Sequence, residues 1–202
     1  MLKSQAMYVL ELLRIEDETG HRTIEGQTWM QKMMYVASKT HPELDYEFEP
    51  HRYGMYSKKL KDILIDLNEE ELICVDKNNE KNQPIHLTTE GLEEAERDSK
   101  HIEPRIRKTL QTIKSALNTL RYDELIVLMY TKYPEMLEKS EQKSEYKKWR
   151  ENTAISMVQN DKVSSQLGLR MSGLSWEEFR TRLSVTNPDT VQNNIIYTDP
   201  SS

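Results

Sequence analysis

Residues His51–Leu87 read HRYGMYSKKLKDILIDLNEEELICVDKNNEKNQPIHL, and this stretch decides the fold. Gly54 permits a turn that residues carrying a Cβ resist. Ser57 is an N-cap candidate, and after it Leu60, Ile63, Leu64 and Leu67 fall at helical spacing with Tyr56. The spacing predicts a helix to about Asn68 with one apolar face. Lys58, Lys59 and Lys61 lie toward its exposed side in the first two turns, and His51 and Arg52 come just before it. Leu72, Ile73 and Val75 then read as a strand, Lys77 to Gln83 as an Asn-rich polar turn, and Ile85 and Leu87 as the return strand. A helix with basic first turns followed by a hairpin with Lys77 and Lys81 near its tip is the layout of a recognition helix and its wing. A solvated hairpin without a ligand is the plain alternative. The second half of the helix carries Asp62, Asp66 and Glu69-Glu70-Glu71, which would repel phosphate if they faced it.

Upstream, Leu2, Ala6, Val9, Leu10 and Leu13 mark a first helix over residues 2–15, and Glu16 to Gly26 reads as a polar loop. Trp29, Met30, Met33, Met34 and Ala37 give the apolar face of a second helix over 27–39, which Pro42 ends. Tyr46-Glu47-Phe48-Glu49 alternates as a short strand closed by Pro50. Downstream, Thr88 or Thr89 caps a helix with acids in its first turn. Pro104 opens another helix, in which Ile106, Leu110, Ile113, Leu117 and Leu120 repeat in heptad-like steps. That seam packs on the same chain or on a second copy, a possible homodimer. Tyr122 to Lys132 is a further apolar helix, and residues 151–174 have weak periodicity. Ser175 and Glu178 have capping-box spacing, and Trp176, Phe179 and Leu183 share one face of a short amphipathic helix. This helix is a candidate partner-binding segment or folds back on its own domain, and residues 187–202 read as a loose tail.

The expected fold class is mainly α (α+β): a winged helix-turn-helix with a short β-hairpin wing plus a C-terminal helical extension. The expected division is a winged-helix domain over 1–98, a helical extension over 99–160, and a docking helix with tail over 161–202.

The 202 residues carry a net charge of −6, unevenly spread. Residues 1–100 hold 13 Lys and Arg against 21 Asp and Glu, and residues 101–202 hold 15 against 13. An acidic winged half excludes a generic nucleic-acid coat, so DNA affinity must come from a local basic face. No apolar run approaches the roughly 20 residues of a membrane span. The first residues lack a secretory cleavage pattern, and a cytoplasmic protein without membrane attachment is expected. A single cysteine, Cys74, excludes an internal disulfide and a cysteine zinc cluster, and its apolar neighbours predict a buried, inert thiol. His21, His41, His51, His86 and His101 include no pair at helical metal-ligand spacing. There is no Gly-rich phosphate loop, so no cofactor, metal or catalytic residue is assigned, and the expectation is a protein that is not an enzyme.

The stretches TWMQKMMYVA (Thr28 to Ala37) and YEFEPHRYGMYS (Tyr46 to Ser57), with Leu67 to Ile73, resemble the YwgA-like small prokaryotic proteins. More distantly they are similar to the Panacea (SocA-like antitoxin) domain. Gln31-Lys32, Tyr53-Gly54 and Tyr56-Ser57 carry the match. Met55 stands where that pattern has proline, and Glu71 where it has glycine. Tyr130-Thr131-Lys132-Tyr133-Pro134 and Ser140 look like a later segment of the family, so the resemblance covers residues 5–140. It implies a winged-helix module of prokaryotic or phage origin, with antitoxin-like or regulatory activity.

Two functions follow as expectations, with a hydrolase built on the acidic clusters around Glu69 and Glu70 the weakest third. One is a DNA-binding transcriptional regulator whose nucleic-acid-binding residues are His51, Arg52, Tyr56, Ser57, Lys58, Lys59, Lys61, Lys77 and Lys81. The other is a protein-interaction module, an antitoxin or a subunit of antiviral defence, that controls a toxin or effector partner. A continuous positive face from Arg52 to Lys81 favours DNA, and interruption by Asp62 and Glu69 favours protein.

Overall fold

The computed structural model describes residues 4–76 and 83–186. Leu2, the hairpin tip with Lys77 and Lys81, and the tail over 187–202 lie outside the described residues. Among the described residues the chain is mainly helical, with two small antiparallel sheets. It divides into two compact units, Met1–Leu120 and Arg121–Ser202. No helix among the described residues is long and apolar enough to cross a membrane.

In the first unit the order is α1 (Ser4–Arg14), α2 (Gln27–Ser38), β1 (Glu49–His51), β2 (Gly54–Tyr56), α3 (Lys58–Glu69), β3 (Ile73–Val75), β4 (Ile85–Leu87), α4 (Thr89–Ser99) and α5 (Pro104–Leu117). Ala6, Val9, Leu10 and Leu13 of α1 are buried, as are all five residues of the expected α2 face. The apolar seam of α5, from Ile106 through Leu117 to Leu120 beyond its end, is buried, and α5 packs on α1 and α2. β3 and β4 pair in register Cys74↔His86, and Ile24 in the α1–α2 loop bridges Ile85. Side-chain oxygens of Ser57 and Thr88 cap α3 and α4.

Two local expectations are corrected. The strand before α3 is a hairpin, with Glu49, Pro50 and His51 opposite Tyr56, Met55 and Gly54. Glu47 takes a left-handed φ of +59° and its N–H bonds to the Asp45 carboxylate, so the alternation from Tyr46 is broken. Pro50 sits inside the strand because a two-stranded sheet is all edge and asks less of each N–H. Cys74 is exposed, since Ile73 turns into the core and its neighbour on the strand must point the other way.

The second unit holds α6 (Tyr122–Lys132), α7 (Lys143–Gln159), α8 (Ser165–Ser172) and α9 (Trp176–Thr186). Ile155, Val158 and Phe179 form one core cluster of this unit, with Val163, Leu169, Leu174 and Leu183 packed against it. The weakly periodic residues 151–174 are therefore mostly helix. Gly168 of α8 lies so close to α7 that an added Cβ would sit 2.2 Å from Val158 Cγ2.

Candidate nucleic-acid interface

The candidate site is built on α2. Gln31 donates Nε2 to the Ser57 carbonyl at 2.9 Å, and its Oε1 accepts the Ser57 N–H at 2.8 Å. It thus pairs with a buried backbone unit as a neighbouring strand would. The Ser57 hydroxyl donates to the Tyr46 carbonyl and accepts the Leu60 N–H at 2.9 Å, which starts α3. Lys32 is buried beside Gln31, and its Nζ donates to the carbonyls of Tyr53 at 2.6 Å and Met55 at 3.5 Å. Burial pushes this amine down to about 8. Gln31-Lys32, Tyr53-Gly54 and Tyr56-Ser57, separate in sequence, therefore meet at one place. Together they set the hairpin against the first turn of α3.

Two kinds of group face solvent here. Arg52 is exposed, with its guanidinium carbon 5.0 Å from the centre of the Tyr53 ring. Tyr53 is 46% exposed, the most of any large hydrophobic residue among those described. His51 stacks on Tyr56 with centroids 4.8 Å apart. Lys58 and Lys61 are exposed on α3, whereas Lys59 is partly covered and paired with Glu47 at 2.7 Å. Ser57 is fully buried and its hydroxyl is committed to the fold. Beyond the first turn the open face of α3 carries Asp62, Ile65, Asp66 and Glu69, all exposed. The basic row is thus interrupted within the helix.

The buried carboxylates are engaged elsewhere. Glu11 pairs with Arg14 at 2.8 Å and Arg107 at 3.0 Å. Burial by itself would raise Asp17, but hydrogen bonds from Thr19, Asn118 and His21 outweigh it and hold the carboxyl at about 2. Glu124, in the second unit, pairs with Lys162 at 2.7 Å and accepts the Arg121 N–H. Among the described residues no three His, Cys, Asp or Glu side chains group to hold a metal ion. Of the three candidate partner-binding residues, Trp176 is 40% exposed, Phe179 is fully buried and Leu183 packs on the core of the second unit.

Sequence reasoning passed over Tyr53 as an exposed side chain and Ile65, which it left unassigned. Tyr53 was visible only as a motif letter. Its exposure depends on the hairpin turn at Arg52-Tyr53, which the reading of Pro50 as a strand end concealed.

No family model matches the chain. The chain is similar to proteins named DNA ADP-ribosyl glycohydrolase from Mycobacterium bovis and Mycobacterium tuberculosis. Each is 34% identical over 79 residues, which is 38% of this chain and 21% of the relative. The chain therefore spans about a fifth of the length of the curated relatives it matches. These names overturn the expectation of a protein outside enzymology, because both relatives are named as hydrolases.

Proposed function

We propose that the first unit is a winged-helix module that contacts DNA through the β1–β2 hairpin and the first turn of α3, within a system that handles ADP-ribose on DNA. The observation that carries this reading is the exposure of Arg52, Lys58 and Lys61 within ten residues, on a hairpin and helix start fixed by Gln31 and Lys32. Cations on a preset frame meet phosphate with little ordering cost. The relatives' name supports it, since their stated target is DNA. Regulation of transcription is one use of such contact.

The test is anisotropy of labelled DNA at low salt with the purified chain. Arg52→Ala combined with Lys58→Ala and Lys61→Ala is expected to weaken binding about tenfold or more. Unchanged affinity would sink the reading. Incubation with ADP-ribosylated DNA, followed by measurement of released ADP-ribose, separates a chain that carries out the hydrolysis from one that delivers DNA to it.

A second reading rests on Asp62, Ile65, Asp66 and Glu69: these acids interrupt the basic row, the arrangement that favours a protein partner over DNA along α3, and they surround an exposed apolar residue. That face suits a partner protein, as an antitoxin or defence subunit would need. Ile65→Lys disrupting a co-purifying complex while leaving DNA binding intact would favour it.

A further inference from the structure

We propose that the β1–β2 hairpin is a base-stacking element and that the nucleic acid it takes is an unpaired strand, with Tyr53 as the stacking residue. The inference rests on the DNA reading above and adds to it which form of DNA is bound.

Three observations carry it. First, Tyr53 is almost half exposed at the hairpin turn, and Arg52 lies over its ring at 5.0 Å. A base that lies against the ring would meet an aromatic face already polarised by a guanidinium. Second, the backbone that carries the ring is fixed. Lys32, 2% exposed, donates to the Tyr53 carbonyl, and the Tyr56 ring at the end of the hairpin is stacked on His51. Third, the charge around it is a short track. Arg52, Lys58 and Lys61 are exposed, whereas Asp62, Asp66 and Glu69 occupy the rest of the open α3 face. A duplex lying along the length of α3 would bring phosphate toward those acids. A single strand needs only the track from the hairpin to the first turn, and only unpaired bases offer their faces to a tyrosine.

The experiment measures binding of the full chain to three labelled oligonucleotides of equal length at low salt: a mixed-sequence single strand, its duplex, and a deoxyribose-phosphate strand lacking bases. The expected order is single strand tightest, with Tyr53→Ala weakening that complex about tenfold and leaving the base-free strand unaffected. Tyr53→Phe is expected to keep the preference, because the ring and not the hydroxyl does the stacking. Tyr53 is exposed, so the alanine variant should melt with the wild type. Equal affinity of wild type and Tyr53→Ala for the single strand, or tighter binding of the duplex, overturns the inference and leaves DNA contact standing. No binding to any of the three overturns both. Protein capture by the α3 face with no oligonucleotide binding would assign the unit to a partner protein.

Discussion

Glu71 stands one residue past the C-cap of α3 with φ at +57°, and the next N–H, of Leu72, reaches back to the Leu67 carbonyl at 2.9 Å. Glycine enters that conformation freely, whereas a residue with a Cβ loses about 1 kcal/mol there. Glu71→Gly should therefore raise the unfolding free energy by up to about 1 kcal/mol in a urea titration, with the slope unchanged. Lys114 gives a prediction of pH dependence. It is buried, with Nζ donating to the carbonyls of Leu12 at 2.9 Å, Leu13 at 3.4 Å and Arg22 at 2.6 Å. Burial lowers the amine to about 7 despite the charge of Asp17, against 10.5 for a free lysine. Between these values the unfolded chain binds the additional proton, so stability rises with pH across that window. Below it both states are protonated and the penalty is constant. Lys32, at about 8, acts in the same direction over the upper part of the window. The melting temperature should climb between about pH 7 and about pH 9.5. Lys114→Met should climb less and melt lower at pH 7, because three carbonyls lose their donor. The burial of Lys114 depends on the end of α1 and the loop after it arriving beside α5, which no spacing within α5 encodes.

The start of α4 shows how tightly two elements can meet. An added Cβ on Gly91 would sit 1.8 Å from the Leu72 carbonyl oxygen, so α4 rests directly on the backbone leading into β3. Gly91→Ala should cost about 1–3 kcal/mol, read as a lower urea midpoint with the far-ultraviolet spectrum retained. Elements with one apolar stripe were legible: the faces of α1, α2, α3 and α5 lie where the 3–4 spacing puts them. The second half of α7 and all of α8 were not. Their packing uses Gly168, Ala154 and Thr153 beside larger residues, so apolar spacing alone does not outline a face. Arg150 further blurs it, since this charged residue donates to the Met171 carbonyl at 2.9 Å and closes the end of α8.

At the scale of the molecule the net charge of −6 and the short basic track set how binding should respond to salt. If Arg52, Lys58 and Lys61 make the phosphate contacts, the logarithm of affinity for a single strand should fall with the logarithm of salt at a slope of about −2. Anisotropy between about 50 and about 200 mM salt measures it, and a much steeper slope would bring in cations beyond these three. The seven-residue path from Gly54 to Leu60 was readable as a turn, a cap and a basic helix start because those features are local: φ preference, a hydroxyl within reach of the next N–H, and 3.6-residue spacing. The sequence alone therefore determined a mainly helical chain, the position of α3 and the two β3–β4 strands. Only the tertiary structure decided that Gln31 and Lys32 hold the hairpin, that Tyr53 faces solvent while Ser57 does not, and that Phe179 is buried within its own unit. Those outcomes depend on which distant backbone carbonyl or apolar surface arrives beside a side chain, and no local spacing encodes that arrival.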